Sequence, residues 1–226
     1  MSTPRPLVDA SERHIEVPRH ARYYVLGDES AAVEEIWYVL HGFGQLAGQF
    51  IRFFADVADG RRLVVAPEAL NRYYTADLSV PANERPVGAT WMTREDRETE
   101  MGDYIRYLDL LHASFAGERA TARTIVVGFS QGGATAARWA SRGHSKIDRV
   151  ILWGATLPPD LDLSGGRKLF RGASLTLVVG EKDQHIHADA LERENTRLDA
   201  AGVPFDLVRF DGGHSIKRTV LRQLLR

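Results

Sequence analysis

The sequence predicts an α/β fold with a mostly parallel central sheet and helices on both of its faces, and three observations carry that expectation. Short unbroken apolar runs, such as Ile36–Leu40 and the Val150–Trp153 part of the strand Arg149–Trp153, suit strands buried on both sides. Helical patterns separate most of these runs, the alternation expected of a parallel sheet. Glycine-rich or polar turns follow several of the runs, at positions 41–45, 128–132, 180–183 and 211–214. Ligands of open parallel sheets bind beyond the carboxyl ends of the strands, where such turns lie.

In chain order, Arg13 to Val17 and Ala21 to Leu26 read as two short strands, with turn residues at 27–30. Ile36–Leu40 is the first buried strand, and it ends in His41-Gly42-Phe43-Gly44-Gln45. Phe50, Phe53, Phe54 and Val57 are spaced to share one side of a helix. Arg62–Ala66 is a second buried strand, stopped by Pro67. From Glu68 to about Arg97 neither period is sustained; a loop this long is uncommon without a function, so 68–97 reads as a cap or pocket wall. Tyr73, Tyr74, Trp91 and Met92 are its candidate substrate-lining residues, although aromatics in such a segment equally serve as packing.

A helix follows from about Arg94 to Phe115, with Met101, Tyr104, Ile105, Leu108, Leu111 and His112 on its inward stripe. Beyond the Gly128–Gly132 turn and its helix come strands at 149–153 and 174–179, a loop at 154–173 between them, and a helix over about 188–201 stopped by Gly202. Phe205–Phe210 is the last strand, and a helix runs to Leu225. Without repeats or linkers, the 226 residues read as one domain.

Composition narrows the function classes. The chain is 44% apolar and 26% charged, with a formal charge of −1, an ordinary soluble balance that gives no footprint for nucleic acid or an anionic membrane. It has no cysteine, which excludes disulfides, a thiolate metal site and a cysteine nucleophile. No signal-peptide pattern or membrane-spanning apolar run is evident, so a cytoplasmic protein without stable membrane insertion is expected.

The stretch 124–138 organises the rest. A β-branched run enters Gly128-Phe129-Ser130-Gln131-Gly132, and an Ala-rich helix pattern follows at once. Gly-x-Ser-x-Gly between strand and helix is the context of a nucleophile elbow. The turn is too tight for side chains at its glycines, and the helix start aims free N–H groups at the serine. Isolated from that context, the pentapeptide fits a phosphate-binding loop or a glycine-rich turn equally well.

A serine hydroxyl needs a base to take its proton and an acid to orient that base. His214 follows the last strand and Asp183 the one before it, in the order Ser130, Asp183, His214 expected of an α/β-hydrolase arrangement. Glu181 is the rival acid. An oxyanion hole needs two backbone donors: Gln131 supplies one and Phe43, on the His-Gly loop, the other. His185-Ile-His187-Ala-Asp189 resembles the start of a metal-ligand run, but the next residue is Ala190 and no further cluster appears; no metal is expected, and His187 or Asp189 suits a helix cap.

Gly128-Phe-Ser-Gln-Gly-Gly133, His41-Gly-Phe-Gly44, Gly180-x-x-Asp183 and Gly213-His214 together resemble the phospholipase/carboxylesterase family, which includes the acyl-protein thioesterases, from His41 to the last helix. The resemblance implies an α/β-hydrolase fold and cofactor-free hydrolysis of a small-molecule ester or thioester. Ser130 would be nucleophile, His214 base and Asp183 its orienting acid, with Phe43 and Gln131 as amide donors. The chain departs from the family at Gln45, at Met92-Thr93 after Trp91, and at Gln184-His-Ile-His187. A carboxylesterase for short to medium acyl chains is the leading expectation. A lysophospholipase, an acyl-protein thioesterase and a non-catalytic small-ligand binder are the alternatives, and a homodimer is the protein partner to test.

Overall fold

The computed structural model describes residues 10–29, 32–117 and 119–225. Their framework is a seven-stranded sheet in the order β1-β3-β2-β6-β7-β8-β9. The strands are β1 (Tyr23–Leu26), β2 (Glu35–Leu40), β3 (Arg62–Pro67), β6 (Arg123–Phe129), β7 (Arg149–Trp153), β8 (Ser174–Gly180) and β9 (Asp206–Phe210). Only β1 runs antiparallel to its neighbour, and every other pairing is parallel. The expected helix-flanked parallel sheet is therefore present.

Alternation along each strand feeds two cores. Tyr38 and Leu40 of β2 pack on one face with α2 (Arg97–Ala116), α3 (Gln131–Arg142) and Leu198 of α4 (Ala188–Ala200). Trp37 and Val39 pack on the other face with α1 (Ala47–Phe50) and α5 (Arg218–Leu224). Both faces are covered by helices, which is why these strands read as unbroken apolar runs. Helix α4 ends as Gly202 predicts. That glycine has φ +66°, its N–H bonds the Asp199 carbonyl and Val203 N–H reaches Leu198, the paired bonds of a Schellman end.

Four local expectations change. Residues 13–17 pair with no strand and lie exposed, tied down through Glu16 to Arg106 of α2; alternation suggests a strand but cannot supply an edge to join. The helix over Phe50–Val57 is one α turn followed by a 3-10 turn, Ile51–Phe54, and the tighter winding leaves Phe53 40% exposed while Phe50 and Phe54 are buried. Within 154–173, a short 3-10 segment spans Leu163–Lys168. Finally, 68–97 holds a two-stranded antiparallel ribbon, β4 (Asn71–Tyr74) with β5 (Val87–Thr90). Its four-residue strands are too short to show a period in sequence, and their hydrogen bonds span a twelve-residue connection.

Chain order and strand order together locate a crevice. From β2 the chain returns to β3 on one side, whereas from β6 it proceeds to β7 on the other. The carboxyl ends of β2 and β6 therefore flank the topological switch point, where open α/β sheets bind ligands. The His41 loop and Ser130 leave from those two ends.

Candidate active site

Ser130 stands between β6 and α3 with φ 53° and ψ −119°, a conformation that costs a side-chain-bearing residue about 1–3 kcal/mol. Its surroundings enforce the strain. Ser130 N–H donates to the Trp153 carbonyl at 2.9 Å, and Gly133 N–H donates to the Ser130 carbonyl at 2.9 Å. A Cβ on Gly132 would run into the Leu40 carbonyl oxygen and lie 2.6 Å from that of His41. One on Gly128 would lie 2.6 Å from the Gly133 Cα. The glycines flanking the serine are thus required by backbone contact, as the elbow motif predicts.

Asp183 and His214 meet at the ends of β8 and β9. His214 Nδ1 lies 2.8 Å from Asp183 Oδ2, and Asp183 Oδ1 accepts N–H bonds from His185 at 2.8 Å and Ile186 at 3.2 Å. Burial pushes the Asp183 carboxyl up, but the His214 bond and the two amides outweigh it and hold the group below its ordinary value. The Asp183 side chain is 1% exposed and that of His214 17%, so the carboxylate is shielded while the imidazole is reachable. The imidazole rests on Phe129 (ring centroids 4.8 Å apart) and meets the His185 ring at 4.5 Å. A Cβ on Gly154, at the end of β7, would approach His214 Cε1 to 2.9 Å, so the ring lies directly over that backbone. Glu181, the rival acid, is exposed. Among the described residues no hydrogen bond joins Ser130 Oγ to His214; such bonds commonly tighten only when substrate binds.

The His41 loop closes the other side of the serine. A Cβ on Gly42 would sit 3.3 Å from Ser130 Cβ and 3.1 Å from the Phe129 ring. Gln45 folds this loop, since its Oε1 accepts from Gly42 N–H at 2.8 Å while its own N–H reaches the Gly42 carbonyl at 3.2 Å. His41 beneath is fully buried. Ala69 N–H donates to its Nε2 (3.1 Å), which puts the proton on Nδ1, donating to the Gly42 carbonyl at 2.8 Å. Burial lowers its pKa, consistent with that neutral tautomer. Among the described residues, the Phe43 and Gln131 N–H groups have no acceptor, leaving two free donors on the loops that border Ser130.

The ribbon is bound to this loop. Gly44 N–H donates to the Ala89 carbonyl at 2.9 Å, and Ala89 N–H donates to that of Gln45 at 3.3 Å. The Gln131 side chain bridges from the elbow, with Oε1 accepting from Trp91 N–H (3.1 Å) and Nε2 donating to the Met92 carbonyl (2.9 Å) and Thr90 Oγ1 (2.9 Å). Glu68, 1% exposed, accepts from Arg22 at 2.6 Å, Arg72 at 3.0 Å and Ala47 N–H at 3.3 Å. The sequence reading missed these side-chain roles of Gln45, Glu68 and Gln131. Glu68 alone left a signal, a carboxylate directly after a buried strand and its proline.

The candidate pocket residues separate. Trp91 is 1% exposed, packs on His41 and Tyr104 and donates from Nε1 to the His41 carbonyl at 2.9 Å, so it supports the site from below and does not line it. Tyr74 faces outward, 54% exposed beside Arg85, because alternation on β4 turns it away from Tyr73. Met92 is half-buried against the core and Arg138. Tyr73 stacks on Phe43, ring centroids 5.4 Å apart, and burial raises its pKa.

The run 185–189 does not gather ligands. The His185 ring lies on His214, Asp189 pairs with Arg193, and His187 occupies the N-cap position of α4 without a side-chain cap bond. Among the described residues three potential metal ligands converge at Glu12, His14 and Asp96; all are exposed, and the His14 ring contacts both carboxylates. No helix of the described residues is long and apolar enough to cross a membrane.

Comparison with known proteins adds to this geometry. The family model for the dienelactone hydrolase family matches residues 53–219, which include Ser130, Asp183 and His214. The chain belongs to the dienelactone hydrolase family. Solved structures share its fold. A carboxylesterase from Mesorhizobium loti is 16% identical, with 91% of this chain and 94% of the other covered at a TM-score of 0.68. Acyl-protein thioesterase 2 from Zea mays is 15% identical over 91% and 96%, at 0.65. Esterase PE8 is 21% identical over the same shares, at 0.63. The resemblance read from the motifs agrees with this membership in the α/β-hydrolase superfamily. No curated protein is similar enough in sequence to count as a relative.

Proposed function

We propose that this hydrolase is a serine carboxylesterase working through an acyl-enzyme on Ser130. The observation that carries the reading is the Asp183–His214 bond of 2.8 Å, made by loops at the carboxyl ends of the strands, the end of the sheet that also holds the strained serine. Ser130 Oγ attacks the ester carbonyl while His214 Nε2 takes its proton, and Asp183 keeps the Nδ1–H tautomer and favours the imidazolium. The amides of Phe43 and Gln131 donate to the oxyanion. His214 then protonates the departing alcohol, and water, activated by the same imidazole, releases the acid and restores the serine.

Family membership supports hydrolysis of an ester, since a lactone is a cyclic ester. The thioesterase and lysophospholipase alternatives use the same chemistry and differ in substrate. Ser130→Ala should lower kcat/KM on a p-nitrophenyl ester by at least about 10³-fold without loss of thermal stability. Undiminished turnover would overturn the assignment and favour the non-catalytic binder.

A further inference from the structure

Phe43 is 61% exposed, on the loop whose Gly42 lies against Ser130. Among the described residues it is the one exposed large apolar side chain on a loop that directly follows a parallel strand. The Tyr73 ring lies against it at an interplanar angle of 34°, with centroids 5.4 Å apart. The Tyr73 hydroxyl fits against Gly44, where an added Cβ would lie 3.3 Å from it. The loop's bonds to Ala89 hold the two rings together as part of one wall.

Strand order decides which half of a substrate meets these rings. Phe43 follows β2, on one side of β6 and Ser130, whereas Gly154, Asp183 and His214 follow β7, β8 and β9 on the other. The leaving group receives its proton from His214, so it must lie on the β7–β9 side. That side is polar and open, with Gln184 and His185 exposed. The acyl chain of the same tetrahedral carbon is then offered, in place of that polar side, the apolar Phe43 and Tyr73 rings beside the amide that receives the oxyanion.

We infer that Phe43 and Tyr73 form an aromatic shelf for the acyl half of the substrate, selecting esters of flat apolar acids, aryl or arylalkyl, over acetyl esters. This rests on the esterase reading of Ser130. Flat acyl groups gain offset contact with such a pair, whereas an acetyl group is too small to reach it.

Two series of kcat/KM values test the shelf. One compares p-nitrophenyl phenylacetate with p-nitrophenyl acetate, and the other varies the alcohol in phenyl acetate and ethyl acetate. Wild type should prefer the phenylacetyl ester. Tyr73→Ser should lower that acyl ratio about three- to tenfold, and Tyr73→Phe should retain it. Tyr73→Leu, which keeps apolar bulk without a flat face, should also lower it and serves if the serine variant does not fold. An acyl ratio unmoved in folded variants overturns the shelf. A Tyr73→Ser effect that follows the alcohol instead overturns the assignment of sides. A wild-type protein that hydrolyses no ester and takes no fluorophosphonate at Ser130 overturns the esterase reading itself, whereas ready labelling without a phenylacetyl preference overturns only the shelf.

Discussion

The elbow at 128–133 and the ribbon segment at 68–92, the wall of the proposed site, meet through Gln131, yet different forces hold them. The elbow is fixed by contact between neighbouring backbone segments, with glycines at the points where a Cβ would strike a carbonyl or a Cα. The wall is fixed by polar contacts between residues far apart in sequence, such as buried Glu68 with Arg22 and Gln131 with Trp91. The first constraint is written into consecutive residues. The second exists only once the sheet has formed.

That contrast makes the elbow the more brittle region. Gly132→Ala should destabilise the protein by at least about 3 kcal/mol, or prevent folding, because the new methyl meets the Leu40 and His41 backbone carbonyls at the end of β2. Urea unfolding measures this, and a loss below about 1 kcal/mol would mean that the elbow can relax.

The wall should yield more gently. Glu68→Gln removes the carboxylate shared by Arg22 and Arg72, but both arginine side chains are more than two-fifths exposed and can rehydrate. We expect a loss of about 1–3 kcal/mol, together with faster amide exchange in β4 and β5 while β6–β8 stay protected. Uniform loss of protection would show that the wall and the sheet unfold as one unit.

Legibility follows the same divide. The parallel strands and the Ser130, Asp183 and His214 loops are visible because burial on both faces and tight turns impose residue types locally. The side of the serine on which Trp91 or Tyr74 ends is not visible, because register in a four-residue ribbon is set by its partners. Likewise, Gln45 resembles an ordinary loop residue until its carbonyl is seen holding Gly42 N–H.

A smaller effect compares the site with a structural carboxylate away from it. Burial raises the pKa of Asp109, but bonds from Ser145, His144 N–H and Trp139 outweigh it and hold the group at about 2. A depressed carboxyl stabilises the fold fully above its unfolded pKa, and that contribution fades as pH falls toward 2. The stability gap between wild type and Asp109→Asn should therefore be constant above about pH 5 and shrink between about pH 4 and pH 2. A gap that persists unchanged to pH 2 would show that the charge contributes nothing.

The central claim, an activated Ser130, is tested most directly by fluorophosphonate labelling with mass spectrometric location of the adduct, in wild type and in folded His214→Ala. The account predicts one adduct, on Ser130, forming at least about 10²-fold more slowly without the imidazole. An unlabelled wild type that is well folded, or labelling equally fast without His214, would contradict it.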